Sequence, residues 1–337
     1  DRILKCFITG VAGFLASHVA DQLLASGHEV VGVDSLIGGE LSNLPDGVEF
    51  YEADCGDLDA MVAHSKGCDV MVHAACTAYE GLSVFSPHFI TQNTFQITST
   101  LLSAAVQNGV KKFLYCSSMA RYGTQETLPF TEDMDCRPQD PYGIAKFASE
   151  LLVRNLCEIH ELQYVIFVPH NIIGPRQKYD DPFRNVASIM VNRMLQGVQP
   201  IIYGDGTQKR CFSFVEDSIS CFEKALFRDD VNGKIYNIGP DEEFVTINEL
   251  AEEIADILNF DLNPIYMPSR PLEVNLAHCS ADRIRKEFGY TTETTLRDGL
   301  ERLVEYIVQR GPKPFKYHID LEIKNDLTPL TWKERLF

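Results

Sequence analysis

Tyr142 and Lys146 stand four residues apart, and Ser118 precedes the tyrosine by 24 residues. At that spacing the tyrosine and lysine share one helix face. A phenol with its ordinary pKa near ~10 is a poor base at neutral pH. An ammonium on the same face favours the phenolate, and a further positive charge nearby brings it closer to the working range. A serine beside them can hydrogen-bond the same reacting hydroxyl and hold it in line. The chemistry open to such a set is removal of a proton from an alcohol. The pair alone says little: with 13 tyrosines in 337 residues, a Tyr-x-x-x-Lys arises by chance roughly half a time per chain. The order of features carries more. A Gly-rich turn comes first, at Gly10 and Gly13, and Asp34 follows the second apolar run. Ser118 follows the fifth, and the Tyr/Lys pair opens a helical pattern. A surface pair beside an ordinary loop serine would not explain that order.

Gly10-Val11-Ala12-Gly13-Phe14-Leu15-Ala16 follows an apolar run and leads into a helical one. Glycines there let backbone approach a pyrophosphate, which then sits against the helix N-terminal amides. Ala16 takes the third small position. A plain tight turn is the competing reading, and Asp34 argues against it. A carboxylate 24 residues past Gly10, at a strand end, can accept both ribose hydroxyls of NAD and would repel the 2′-phosphate of NADP. Ser35 to Gly39 holds no cation to offset that repulsion, so NAD is the expected cofactor. Asp54, after the third apolar run, is expected to cap the adenine amine or else a helix.

The elements that must position these groups alternate. Strands are expected at about 4–8, 29–34, 48–51, 69–73, 112–116 and 164–168. Helical patterns lie between most of them, notably 15–26, a long stretch from about 89 to 108, and 143–160. Such alternation means an α/β fold, a Rossmann-type doubly wound parallel sheet covered on both faces. Ligands in such sheets sit beyond the carboxyl ends of the strands, where Gly10, Asp34, Ser118 and His170 fall. After Pro169 the alternation loosens. The chain therefore divides into a dinucleotide-binding domain at 1–168, a smaller C-terminal α/β substrate lobe at 169–310, and an extension at 311–337. The extension holds the only tryptophan, Trp332.

At 45% hydrophobic residues, the chain can bury a large core. Its net charge of −18 repels nucleic acid and anionic membranes, so phosphate-bearing ligands need local cations. No apolar run reaches the ~18 residues of a membrane span. An initiator segment is expected to have been removed ahead of Asp1. Ten scattered cysteines without a Cys-x-x-Cys read as buried free thiols in a reducing cytoplasm. No metal-ligand spacing is present, and no metal is expected.

Gly10-x-x-Gly13-Phe14, Asp34, Ser117-Ser118 and Tyr142-Gly143-x-x-Lys146 resemble the extended short-chain dehydrogenase/reductase family, in its nucleotide-sugar epimerase/dehydratase branch. The likeness continues through His170-Asn171-Ile172-Ile173-Gly174-Pro175-Arg176, Gly204 to Arg210 and Arg270-Pro271-Leu272-Glu273-Val274. It covers about 300 of the 337 residues. The resemblance implies Ser118, Tyr142 and Lys146 as catalytic residues. It implies an NAD site of Gly10, Gly13, Phe14, Leu15, Asp34, Asp54, Cys55, Ala74, Ala75, Asn93, Cys116 and Pro169, together with Tyr142 and Lys146. Asn171, Asn185, Val186, Arg210, Phe212, Arg270 and Glu273 would line a nucleotide-diphospho-sugar pocket with Glu80, Ser118, Met119 and Ala277. Two arginines clamping a diphosphate suit an otherwise acidic chain.

By the same resemblance, Tyr142 takes the proton of the sugar 4-hydroxyl while C4 passes hydride to NAD, giving a 4-keto sugar. Similar dehydratases carry an Asp-Glu pair just after the serine, similar decarboxylases a Glu, and similar 3,5-epimerases a Cys; this chain has Met119-Ala120. Without a second proton-transfer group there, C4-epimerisation is the simplest completion. A 4,6-dehydratase or a C4 dehydrogenase that releases its ketone is the alternative, and a non-catalytic NAD-binding regulator is a third. Glu80, after the fourth strand, is a candidate to fill the gap or a solvated loop acid. Arg121 stands where a small residue is usual, and binds a polar sugar substituent or pairs with an acidic neighbour. Cys211 replaces a usual Asp without an evident reason. Ala277 stands at the position that gates N-acetylated sugars, and its size leaves room for them. A homodimer through the helices at 89–108 and 143–160 is implied, with the extension over the substrate lobe or a partner subunit.

Overall fold

A computed structural model describes residues 2–271 and 275–337. β1 (Lys5–Thr9) leads into α1 (Phe14–Ala25), and β2 (Glu29–Asp34) and β3 (Glu49–Glu52) extend the sheet to one side. After α2 (Leu58–His64) the chain crosses back, and β4 (Val70–His73) pairs with the other edge of β1. Short helices α3 (Glu80–Ser83) and α4 (Pro87–Thr91) precede α5 (Ile97–Gln107). β5 (Lys112–Cys116), α6 (Pro141–Ile159) and β6 (Gln163–Pro169) follow. The reversal between β1 and β4 opens a crevice at their carboxyl ends, the place where such sheets bind ligands.

The sheet has seven parallel strands, one more than the alternation predicts. The seventh, Lys234–Ile238, pairs with β6, so the order is seventh strand, β6, β5, β4, β1, β2, β3. The chain beyond Pro169 thus leaves the sheet and returns to it. Gly233, at φ +76, makes the entry, and Asn237 interrupts the apolar run. That polar residue hides the strand in the sequence, yet its side chain is satisfied: its amide donates to Phe130 O and Ser280 O and accepts from Tyr122 Oη.

Two apolar layers cover the sheet. One packs Val19, Ala20 and Leu23 of α1 with Ile219, Phe222 and Leu226 of the helix Val215–Phe227. The other packs Leu101 and Leu102 of α5 with Val153 and Cys157 of α6. A third cluster, including Met190, Leu250, Ile254, Leu303 and Ile307, forms the core of the smaller lobe.

The helix expected from 89 to 108 is not continuous. Residues Gln92–Gln96 form a π-turn between α4 and α5, with Asn93 out of helical geometry at φ −85°, ψ 15°. Side chains take over backbone acceptors there: Asn93 donates to Phe89 O and Thr94 to Ile90 O. Such a turn re-aims one side chain without ending the apolar periodicity.

All ten cysteines are free. Among the described residues no helix is long and apolar enough to cross a membrane, and no three His, Cys, Asp or Glu side chains gather as a metal site.

Candidate active site

β5 delivers Ser117 and Ser118 to the mouth of the crevice, and α6 delivers Tyr142 and Lys146. Asp140 starts α6 by accepting from Gly143 N at 2.7 Å, with Pro141 at its first position. Ser118 Oγ accepts from Ala120 N at 3.2 Å and starts the helical turn Met119–Arg121. That turn and α6 are pressed together. A Cβ on Gly143 would lie 2.5 Å from Ala120 O, so only glycine permits the approach that sets Tyr142 against Ser118.

Lys146 Nζ donates to Cys116 O at 2.7 Å, buried at 2% exposure, and lies 5.9 Å from the Tyr142 ring centre. Ser118 lies beside the Tyr142 phenol and favours its ionised form. Burial nevertheless pushes that phenol well above its ordinary pKa, with the neighbouring Cys76 adding to the rise. Lys146, Ser118 and Arg184 pull the other way. The lysine expected to favour the phenolate therefore does so, but it does not outweigh burial. Further positive charge brought into the cavity has to supply the rest.

Arg121 does not reach into the cavity. Its Nε meets Glu150 Oε2 at 2.6 Å, with the two side chains 2% and 0% exposed, and Ser117 Oγ donates to the same oxygen. The acidic-neighbour alternative is the one observed. Cys211 is buried and its thiol donates to Pro240 O at 3.2 Å. His170, expected at the strand ends, has its pKa lowered by burial to about 4 and is neutral.

Two adjoining cavities meet at this point. The first, of about 420 Å³, is lined by Gly10, Gly13, Phe14, Leu15, Asp34, Asp54, Cys55, Ala74, Ala75, Asn93, Cys116, Ser118, Tyr142, Lys146 and Pro169. All the residues expected at a dinucleotide come together there. The walls suit such a ligand. Gly10, at φ +69, brings β1 so close to the β4 end that its Cβ would meet Ala75 Cα at 3.0 Å. Asp34 accepts from Leu36 N at 2.7 Å and Ala12 N at 3.1 Å, one bond per oxygen, which leaves each oxygen an acceptor site for a ribose hydroxyl. Asp54 accepts from Gly56 N at 2.8 Å and so also shapes its own loop. Arg176 and Lys178 line this cavity too, facing Asp21 and Glu40 respectively.

The second cavity, of about 470 Å³, is lined by Glu80, Met119, Asn171, Asn185, Val186, Arg210, Phe212, Arg270 and Ala277. Glu273 lies outside the described residues. Arg270 sits over the Tyr203 ring, 4.7 Å from its centre. Glu80 borders both cavities and stands beside Asp140. Its carboxyl is open to the cavity but surrounded by protein, and this desolvation, with Asp140 beside it, raises its pKa to about 8 against the pull of Arg210 and Arg270.

Sequence reasoning missed several wall residues. Arg184 borders both cavities. Thr77 and Cys76 line the first, and Pro329, Trp332 and Phe337 of the extension line the second. One signal is backbone geometry: Asn171, Arg176 and Asn185, which line the cavities, all have φ between +46° and +73°, a conformation uncommon for non-glycine residues.

The family model for the NAD dependent epimerase/dehydratase family matches residues 6–239. A UDP-glucose 4-epimerase of Mycolicibacterium smegmatis is 32% identical over 90% of this chain and 98% of its own. The solved UDP-glucose 4-epimerase of Thermotoga maritima, with UDP-glucose, superposes with TM-score 0.85 at 29% identity, over 91% of this chain and 99% of its own. A dTDP-glucose 4,6-dehydratase of Streptomyces venezuelae, solved with NAD, gives 0.84 at 28% identity over 91% and 97%. The cofactor of this chain is NAD.

Proposed function

The chain belongs to the NAD dependent epimerase/dehydratase family, and from that membership we propose that it interconverts the C4 epimers of a nucleotide-diphospho-sugar, a UDP-hexose or UDP-N-acetylhexosamine, through a transient 4-keto sugar. The observation that carries this reading is the turn beside the reacting tyrosine. Ser118, Tyr142 and Lys146 line the first cavity, while Met119 and Ala120, which line both cavities, bring no acid or base.

Tyr142 takes the proton of the 4-hydroxyl, and Ser118 holds that oxygen in line. Lys146, fixed by Cys116 O, stabilises the phenolate. Bound NAD supplies the acceptor for the C4 hydride and its return to the opposite face. Arg210 and Arg270 clamp the diphosphate, with Asn171, Asn185, Val186 and Phe212 around the nucleotide. Ala277 leaves room for an acetamido group. The reading includes a homodimer through α6, where Ile144 and Leu151 lie two turns apart at 52% and 48% exposure, and Phe95 of the π-turn adds an apolar neighbour at 39%. It also places the chain, with ten free thiols, in a reducing cytoplasm.

The test is proton NMR of the purified protein with a panel of NDP-hexoses that includes UDP-N-acetylglucosamine, with and without added NAD. An equilibrating pair of C4 epimers is expected. Tyr142→Phe should retain NAD and sugar-nucleotide binding while turnover falls by about 10²-fold or more. A dehydrated or released 4-keto product would move the assignment to the dehydratase or dehydrogenase alternative. Turnover undiminished in Tyr142→Phe would remove the tyrosine from the mechanism.

A further inference from the structure

Of the residues that line both cavities, Ala78, Met119, Ala120, Asn171, Ile172 and Asn185 have side chains that do not exchange protons at neutral pH. The two ionisable ones are Arg184 and Glu80, and a guanidinium does not give up its proton in a protein. Glu80 is thus the acid or base bordering the space between Tyr142 and the paired arginines, where a hexose joined to a diphosphate has to lie. Its partner Asp140 is rigid, because it also caps α6 two residues before Tyr142. Burial, with the Asp140 carboxyl beside it, raises the pKa of Glu80 so that it keeps its proton at neutral pH while Asp140 supplies a neighbouring acceptor. Such a pair can both give and accept a proton. Thr77, at 5% exposure, lines the first cavity as well.

We propose that Glu80, which borders both cavities beside Asp140, is a second acid–base group of this enzyme and exchanges the hydrogen on a carbon next to the transient C4 ketone, at C3 or C5. The inference rests on the 4-keto sugar of the reading above, but not on its stereochemical outcome. The singly charged pair takes the proton from C3 or C5. The electron pair of that C–H bond moves into the bond to C4, and the carbonyl π pair moves onto O4, which the protonated Tyr142 hydrogen-bonds. Reversal returns a proton from Glu80 to the same carbon and restores the ketone, with no net oxidation or reduction. Because Glu80 opens on the cavity, its proton exchanges with water between the two halves of the step.

The experiment is turnover of the NDP-hexose panel by the NAD-loaded enzyme in D₂O, followed by NMR and mass spectrometry of the sugar. The C4 hydrogen travels as hydride and does not meet solvent, so carbon-bound deuterium in a sugar that keeps its 6-hydroxyl reports the proposed step. Deuterium at C3 or C5 is expected. In Glu80→Gln the ratio of deuterium incorporated to C4 turnover should fall by about 10²-fold. Asp140→Asn, which keeps a good helix cap, should lower the same ratio. C4 inversion without carbon-bound deuterium would overturn this inference and leave the epimerase standing. Deuterium without C4 inversion would do the reverse, and neither signal with any sugar would overturn both. An unchanged ratio in Glu80→Gln would remove Glu80 from the step.

Discussion

At the scale of single residues, the chemistry is legible in sequence and its supports are not. Ser118, Tyr142 and Lys146 announce themselves by type and spacing, since each must be one particular residue at one place. Arg121 looks like an anomaly until Glu150 is found beneath it, 29 residues away and fully buried. That pair ties α6 to the turn Met119–Arg121, with Glu150 one helical turn from Lys146. It is not fully satisfied, because Arg121 Nη1 and Glu150 Oε1 have no partners. The arrangement makes Arg121 costly to remove and cheap to replace together with its partner. Arg121→Ala strands a buried carboxylate and should cost about 3–5 kcal/mol, read as a fall in Tm of several degrees. Arg121→Met with Glu150→Leu should recover a large part of that loss, since an apolar pair of similar volume avoids desolvation. A single variant that melts with the wild type would show that the pair does not brace the site. The juxtaposition of Glu80, a candidate in the sequence, with Asp140 is hidden for the same reason: 60 residues separate them, and only the fold brings them together.

At the scale of elements, six of the seven sheet strands can be read from apolar runs. Asn237 conceals the last by placing a buried polar group mid-strand. The π-turn at Gln92–Gln96 is equally invisible, because apolar residues on both sides keep a helical rhythm while hydrogen bonds shift beneath them. α6 shows how one helix serves several ends. Val153 and Cys157 face the sheet, Tyr142 and Lys146 face the crevice, and Ile144 and Leu151 remain half exposed. The last pair is the element's unexplained apolar face, and the proposed dimer covers it. Leu151→Glu should split a dimer into chains of 37.9 kDa, seen by sedimentation, because it places a charge in an apolar contact. A wild-type protein that sediments as a single chain at micromolar concentration would sink the dimer and leave Ile144 and Leu151 as ordinary surface.

At the scale of the whole molecule, the extension from Gly311 closes the site from outside. Irregular chain of this kind has no periodicity to read, because single contacts rather than a repeating face hold it. Lys316 N donates to Asp180 O and Ile323 N to Phe85 O, while Glu322 accepts from the first amides of α4. It therefore lies across its own chain, over α3, which begins at Glu80, and the loop that carries Arg184. Trp332 packs edge-on against Phe183 and Phe85, donates to Pro182 O at 3.1 Å, and forms cavity wall with Pro329 and Phe337. The side chain of Trp332, the sole tryptophan, thus reports on that wall. Nucleotide-sugar binding should change its fluorescence, and deletion of 312–337 should weaken binding by about tenfold or more, as loss of an aromatic wall costs ~1.4 kcal/mol or above. Trp332→Phe separates wall from fold, since it keeps most of the ring packing and loses only the indole hydrogen bond. Unaltered fluorescence on saturation, together with full affinity in the shortened chain, would mean that the extension packs beside the ligand without touching it. Weakened affinity in Trp332→Ala and near-normal affinity in Trp332→Phe would make the extension part of the binding site itself.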